Sequence, residues 1–293
     1  MSTAEPFTRV DHLVIAVRDL DVAARTYARL LGLQPSWHGM HPALGTRNVL
    51  FGLANCYIEL LSPAQTPARH PIAVALGELL ARKPEALFAI ALGTDMLEAT
   101  ADALRARGLA VAPATELEAV AGSGRIRRVR TFAIAGEQTR GVTVFAITHE
   151  RGDVPRSERE PSVAAATAVS AVDHIVLFSD DLDGALRLWR DAFAIPERWR
   201  REFPERGTVN VGLRLGGVTL ELVAPLGAAH GERGERLWGV AYRVADCDAT
   251  VARVRAAGIA VSEARAGLAP ATRVATVKWT DGAPTLLLQN DRH

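Results

Sequence analysis

The chain has 293 residues, with 34 Lys and Arg against 33 Asp and Glu and a formal net charge of +1. That balance offers no global field to nucleic acid or a membrane surface, and the length suits two domains of ordinary size. The two cysteines make no disulfide framework. No long apolar run occurs and "MSTAEPFTR" lacks an apolar signal region, so a reducing cytoplasm is the expected home.

In chain order, "HLVIAV" (12–17) is a β-branched run that predicts a strand. Asp19 then offers an N-cap oxygen. In "DLDVAARTYARLLG" the residues Leu20, Ala23, Ala24, Tyr27, Leu30 and Leu31 recur at helical spacing before Gly32 ends the helix. Strands follow near 34–38, 46–53 and 56–62, giving the order β-α-β-β-β. The same order recurs from "ALFAIAL" (86–92) with a helix at 95–107 and strands near 126–134 and 141–148. It recurs from "HIVLFS" (174–179) with a helix at 181–193 and strands at 208–215 and 218–224. It recurs once more from "LWGVAYRV" (237–244) with a helix at 246–257 and strands at 272–279 and 284–290. "GRIRRVR" (124–130) alternates apolar and basic residues, as a strand with an exposed face does, and is no nucleic-acid site. The polar, then alanine-rich stretch 151–170 is the expected linker between domains 7–150 and 171–293.

The first and third units match without a gap at one constant offset. Asp11 and His12 become Asp173 and His174, Trp37 becomes Trp199, Asn48 becomes Asn210, and Glu59 becomes Glu221. Strand alternation places Leu13, Ile15 and Val17 against the helix and turns His12, Asn48, Tyr57 and Glu59 to the opposite, concave face. His174, Asn210, Thr219 and Glu221 follow by the same logic. A histidine nitrogen and a carboxylate oxygen on rigid neighbouring strands suit a divalent ion such as zinc, nickel, manganese or iron.

Four βαβββ units, "VDHLVIAV" opening the first and "YIELL" closing it, resemble the vicinal-oxygen-chelate superfamily of glyoxalase I, extradiol dioxygenases, acyl-CoA epimerases and bleomycin-resistance proteins. "HPALGTRNVLFGLANCYIELLSP" is most similar to its glyoxalase-like branch. The resemblance implies an α+β fold of four βαβββ modules, paired into two glyoxalase-like domains with open curved sheets and helices on the convex side. It implies metal ligands at His12, Glu59, His174 and Glu221, Glu59 or Glu221 as a base, and His41, Arg47, Asn48, Tyr57 and Asn210 around a small-molecule substrate.

The activity implied is that of a metal-dependent lyase or isomerase acting on a small carbonyl or hydroxy-carbonyl compound through an enediolate-type intermediate. The alternative is a metal-free binding or resistance protein with a groove lined by Trp37, Tyr57 and Trp238. The second unit has Ala86, and the fourth Trp238 and Gly239, where a histidine is expected, and neither closes on a glutamate. That speaks against ring-cleaving dioxygenase chemistry. With neighbouring modules paired, each groove holds one His and one Glu, to which His41, His149 or Gln289 could add. With modules 1 and 3 paired, within the chain or across a homodimer, all four ligands share one site. If the grooves are separate, the polar groups of the first copy predict that the N-terminal one works.

Overall fold

A computed structural model describes residues 5–64, 69–150, 161–227, 235–278 and 282–290. The first module is β1 (Arg9–Val17), α1 (Leu20–Leu31), β2 (Trp37–His41), β3 (Thr46–Gly52) and β4 (Tyr57–Pro63). Helix α2 (Pro71–Arg82) leads into the second, β5 (Glu85–Gly93), α3 (Leu97–Ala106), β6 (Thr115–Ala121), β7 (Ile126–Ala133) and β8 (Thr143–His149). The third is β9 (Ala171–Ser179), α4 (Leu182–Leu186), β10 (Glu197–Phe203), β11 (Thr208–Leu215) and β12 (Val218–Pro225). The fourth is β13 (Glu235–Arg243), α5 (Cys247–Ala256), β14 (Arg265–Ala266), β15 (Thr272–Val277) and β16 (Thr285–Asn290).

Local chemistry sets these boundaries. The Asp19 carboxylate accepts from the Val22 N–H at 2.9 Å and starts α1. Gly32 ends it at φ 69°, a left-handed turn that costs glycine little. A side chain at Gly32 would also strike Val163, in the segment expected as linker. The described part of that segment, 161–170, is held to the fold: Val163 packs on the core, Val169 is buried, and its N–H donates to Leu31 O at 2.8 Å. The helix expected over 181–193 is α4 continued by a π-helical turn, Arg187–Ala192. Helix α2 and strands β6, β10 and β14 complete the strands and α-helices beyond the sequence expectation.

Modules 1 and 2 form one eight-stranded sheet and modules 3 and 4 another. In each, the two opening strands pair antiparallel at the centre, β1 with β5 and β9 with β13. The second sheet is open, as expected, but the first closes into a barrel because β2 meets β6 through Gly39 with Ala121 and Met40 with Val120. The corresponding strand β14 is only two residues long and is followed by Pro270, which cannot donate to a ladder, so the second sheet lacks that closing edge.

The helix-bearing sides of both sheets share one core. Phe7, Leu13, Ile15, Tyr27 and Leu30 from the first domain join Ile175, Trp189, Phe193, Tyr242 and Val254 from the second. Each such side chain contributes roughly 1.5–3 kcal/mol on burial. Polar bonds fix the contact: Asn55 Nδ2 donates to Val172 O at 2.7 Å, and Arg253 Nη2 to Leu30 O at 2.8 Å. The concave faces therefore turn away from this shared core on opposite sides of the molecule. Among the described residues no helix is long and apolar enough to cross a membrane.

Candidate functional site

His12, Glu59, Asn48, His41 and Tyr57 all reach the inside of the first barrel, and all are buried. His12 Nε2 lies 3.4 Å from Glu59 Oε2, and Asn48 Nδ2 donates to Glu59 Oε1 at 2.7 Å. His12 Nδ1 meets Asp11 Oδ1 at 2.8 Å, and His149 Nε2 meets the same carboxylate at 3.0 Å. Tyr57 stacks on the His12 ring at 4.4 Å between centroids. His41 holds Thr46 at 3.0 Å through Nδ1 and stands 3.9 Å from Glu59 through Nε2. Trp37 Nε1 donates to Asn48 Oδ1 at 3.2 Å.

Burial by itself would strip the charge from His12, but Asp11 and Glu59 outweigh it and raise the pKa to about 9. Glu59 is likewise opposed by burial, and the bonds and charge of His12 with those of His41 and Asn48 lower it to about 2. Burial lowers His41, with His12 and Arg127 pushing the same way against Glu59. The first barrel thus sets the buried His12 ring between two carboxylates that favour its charged form. Helix α2 seals one end, where Leu76 and Leu80 pack on Val14, Ala16, Leu61 and Ala89 of the inner face.

The second sheet repeats the floor of this site. His174 Nε2 lies 3.5 Å from Glu221 Oε2, His174 Nδ1 lies 2.9 Å from Asp173, and Asn210 Nδ2 donates to Glu221 at 2.6 Å. Arg243 takes the place of His149, meeting Asp173 at 2.9 Å. The surroundings differ. The side chains of His174 and Glu221 are 18% and 17% exposed, against 3% and 9% for His12 and Glu59. Trp199 and Trp238 stand 40% and 44% exposed on the same inner face.

Several expectations are corrected. The four residues expected as metal ligands do not meet: His12 with Glu59 and His174 with Glu221 lie on the far sides of two sheets that share a core. Of the two pairings the sequence left open, the adjacent one occurs, and that joining modules 1 and 3 does not occur within the chain. Arg47 points away from the groove, because Asn48 occupies the inward position, and it reaches Asp21 of α1 at 3.6 Å on the exposed side. His41 lies at the end of β2. Gln289 accepts from the Cys247 N–H at the start of α5, outside both grooves. Trp37 and Tyr57 are buried in the first barrel, so the aromatic groove of the second holds Trp238 with Trp199 instead. The module 2 counterpart of His12 is Ala89 and not Ala86: the ladder sets His12 opposite Ala91 and Val14 opposite Ala89, so the twofold relation maps His12 onto Ala89. Gly239 is the counterpart of His174 by the same rule. Arg127 was missed. It lies buried inside the barrel beside Tyr57 and within 5.4 Å of the Trp37 ring. Its alternation with Val129 in "RIRRV" was the available signal.

The donor set does not fit a resident divalent ion. The positions that would complete each coordination sphere are Ala89 with Phe145 and Gly239 with Leu286, which have no donor atoms. In the first barrel Glu59 Oε1 is taken by Asn48, and His12 and His41 approach opposite oxygens of that carboxylate. Among the described residues no group of three or more His, Cys, Asp or Glu is placed to hold a metal.

Sequence comparison agrees with the fold. The profile of the glyoxalase-like domain matches residues 10–170, more than half the chain, and that of the Glyoxalase/Bleomycin resistance protein/Dioxygenase superfamily matches residues 173–276. The chain belongs to this vicinal-oxygen-chelate superfamily. No curated protein matches it. A mutant 4-hydroxymandelate synthase from Streptomyces coelicolor superposes with TM-score 0.68 at 14% identity, over 98% of this chain and 93% of that one. A hypothetical protein from Staphylococcus aureus does so with TM-score 0.64 at 13% identity, over 95% and 98%. Identities this low show a common fold and leave the chemistry to the site.

Proposed function

We propose that the protein is a metal-independent small-molecule-binding member of the superfamily whose ligand sits in the open groove of the second domain, over His174, Asn210 and Glu221. One observation carries this reading: the same His–Glu–Asn floor is sealed inside a barrel in the first domain and open between exposed tryptophans in the second. A ligand site needs access as well as convergent polar groups. The His174 imidazole, with its pKa raised by Asp173 and Glu221 against burial, supplies a donor to a ligand oxygen. Asn210 and Glu221 set the orientation. The first barrel, with His12, Asn48, Tyr57 and Glu59, is then the structural copy.

The metal-dependent lyase or isomerase expected from the resemblance would place its ion on His and Glu with two further donors, and both grooves have hydrocarbon or glycine there. The test is to express the protein with added zinc, nickel, manganese and iron and measure bound metal and thermal shift. The expected outcome is substoichiometric metal, no stabilisation by metals, and stabilisation by small aromatic ligands that Trp238→Ala removes. A stoichiometric ion lost on His174→Ala or His12→Ala would restore the metal-dependent reading.

A further inference from the structure

We infer that the ligand of the open groove is a flat aromatic molecule carrying an anionic group, an inference that rests on the groove being the binding site. Sheet register sorts its inner face into levels. One level runs Trp199, Gly212, Glu221, Val176 and Gly239 across five strands, with Trp238 in the irregularity just before Gly239. The two indoles therefore flank the Glu221 level from opposite sides. The Trp199 ring occupies the space over Gly212, where an added Cβ would overlap it. The Trp238 ring stands edge-on to Phe178 at 5.3 Å and 72°. Both leave an aromatic face open for stacking.

The next level runs Arg201, Asn210, Val223, Phe178 and Arg236. Arg201 lies over Phe203 at 5.6 Å and Arg236 over Phe178 at 4.9 Å. Among the described residues neither guanidinium forms an ion pair, and both are exposed. The carboxylates at the floor are already engaged, Glu221 by His174 and Asn210 and Asp173 by His174 and Arg243. The unmatched charge on the walls is therefore positive. A guanidinium fixed on a phenyl face keeps its planar fork turned outward and loses little freedom on binding a carboxylate or sulfonate. A cationic ligand would meet two arginines with no free acid among the described residues to offset them.

The buried copy shows what a filled site looks like. Gly39 stands where Arg201 does, and Leu50 where Gly212 does. Trp37 accordingly folds down over Gly39 and is buried, closing the space that Trp199 leaves open.

The test uses three probes of one shape: 2-naphthoate, 2-naphthamide and 2-naphthylmethylammonium, titrated calorimetrically into the full chain. Naphthoate is expected to bind about tenfold more tightly than the amide, with the ammonium weakest. The double variant Arg201→Ala/Arg236→Ala should erase that preference and leave amide affinity unchanged. Trp199→Ala/Trp238→Ala should weaken all three. Equal affinity of the three probes would overturn the anionic assignment while leaving the groove as the site. Binding that ignores the tryptophan pair, or no binding of any probe, would overturn the groove reading and this inference with it.

Discussion

The two domains hold the same four side chains, Asp, His, Asn and Glu, in nearly the same geometry, with His–Glu separations of 3.4 and 3.5 Å. What differs is the wall around them. Leu50, Gly39, His41 and Tyr57 close over the first set, while Gly212, Arg201, Phe203 and Thr219 leave the second open. Identical floors thus become a buried ion network in one place and an accessible surface in the other. Polar groups are costly to bury unless mutually satisfied, and in the first network Asp11, His149 and Asn48 supply the partners, as Asp173, Arg243 and Asn210 do in the second.

The largest way to break this comparison is to remove the carboxylate. Glu59→Leu leaves the His12 imidazolium with Asp11 alone in a dry barrel and is expected to cost about 3–5 kcal/mol. Glu221→Leu, at a site that water reaches, should cost about 1 kcal/mol. Urea denaturation of the two variants measures this directly, and equal losses would show that the sites are buried alike.

A smaller effect separates the walls from the floors. Gly212→Leu places the residue of the first barrel beneath Trp199 and displaces its ring. The fold should survive, since that indole is half-exposed, but naphthoate affinity should fall about tenfold, roughly 1.4 kcal/mol. Unchanged affinity would mean that Trp199 does not define the groove.

A third effect is electrostatic. His12 has a raised pKa, so its contribution to stability is complete below the unfolded value of 6.5 and is lost as pH rises through about 9. Glu59 has a lowered pKa, so its contribution is present above 4.5 and is lost as pH falls toward about 2. Asp11, His149, His41, Tyr57 and Arg127 face the pair; of these Asp11 and His41 carry lowered pKa values and Tyr57 a raised one. Thermal melts should therefore show stability declining between neutral pH and pH 10, and His12→Gln should flatten that limb. A limb that persists in the variant would assign the titration elsewhere.

Period and repetition were enough to place β1, α1, β3 and β4 and their copies, because each module alternates with period two in its strands and buries a helix stripe of period 3.6. The same alternation turned His12, Asn48, Tyr57 and Glu59 to one face, and its neglect at Arg47 misplaced that residue. Helix α2 escaped because "PIAVALGELLAR" is apolar enough to be a core segment without belonging to the repeat. Register was out of reach: matching Ala89 to His12 requires the ladder between β1 and β5, which no local pattern encodes. Sequence alone therefore determined the modules, the duplicated floor and which face it occupies. Only the tertiary structure decided that neighbouring modules pair, that one sheet closes while its copy stays open, and that the two floors lie apart. Those outcomes depend on contacts between distant strands, β2 with β6 above all, and on a core shared by helices of both domains.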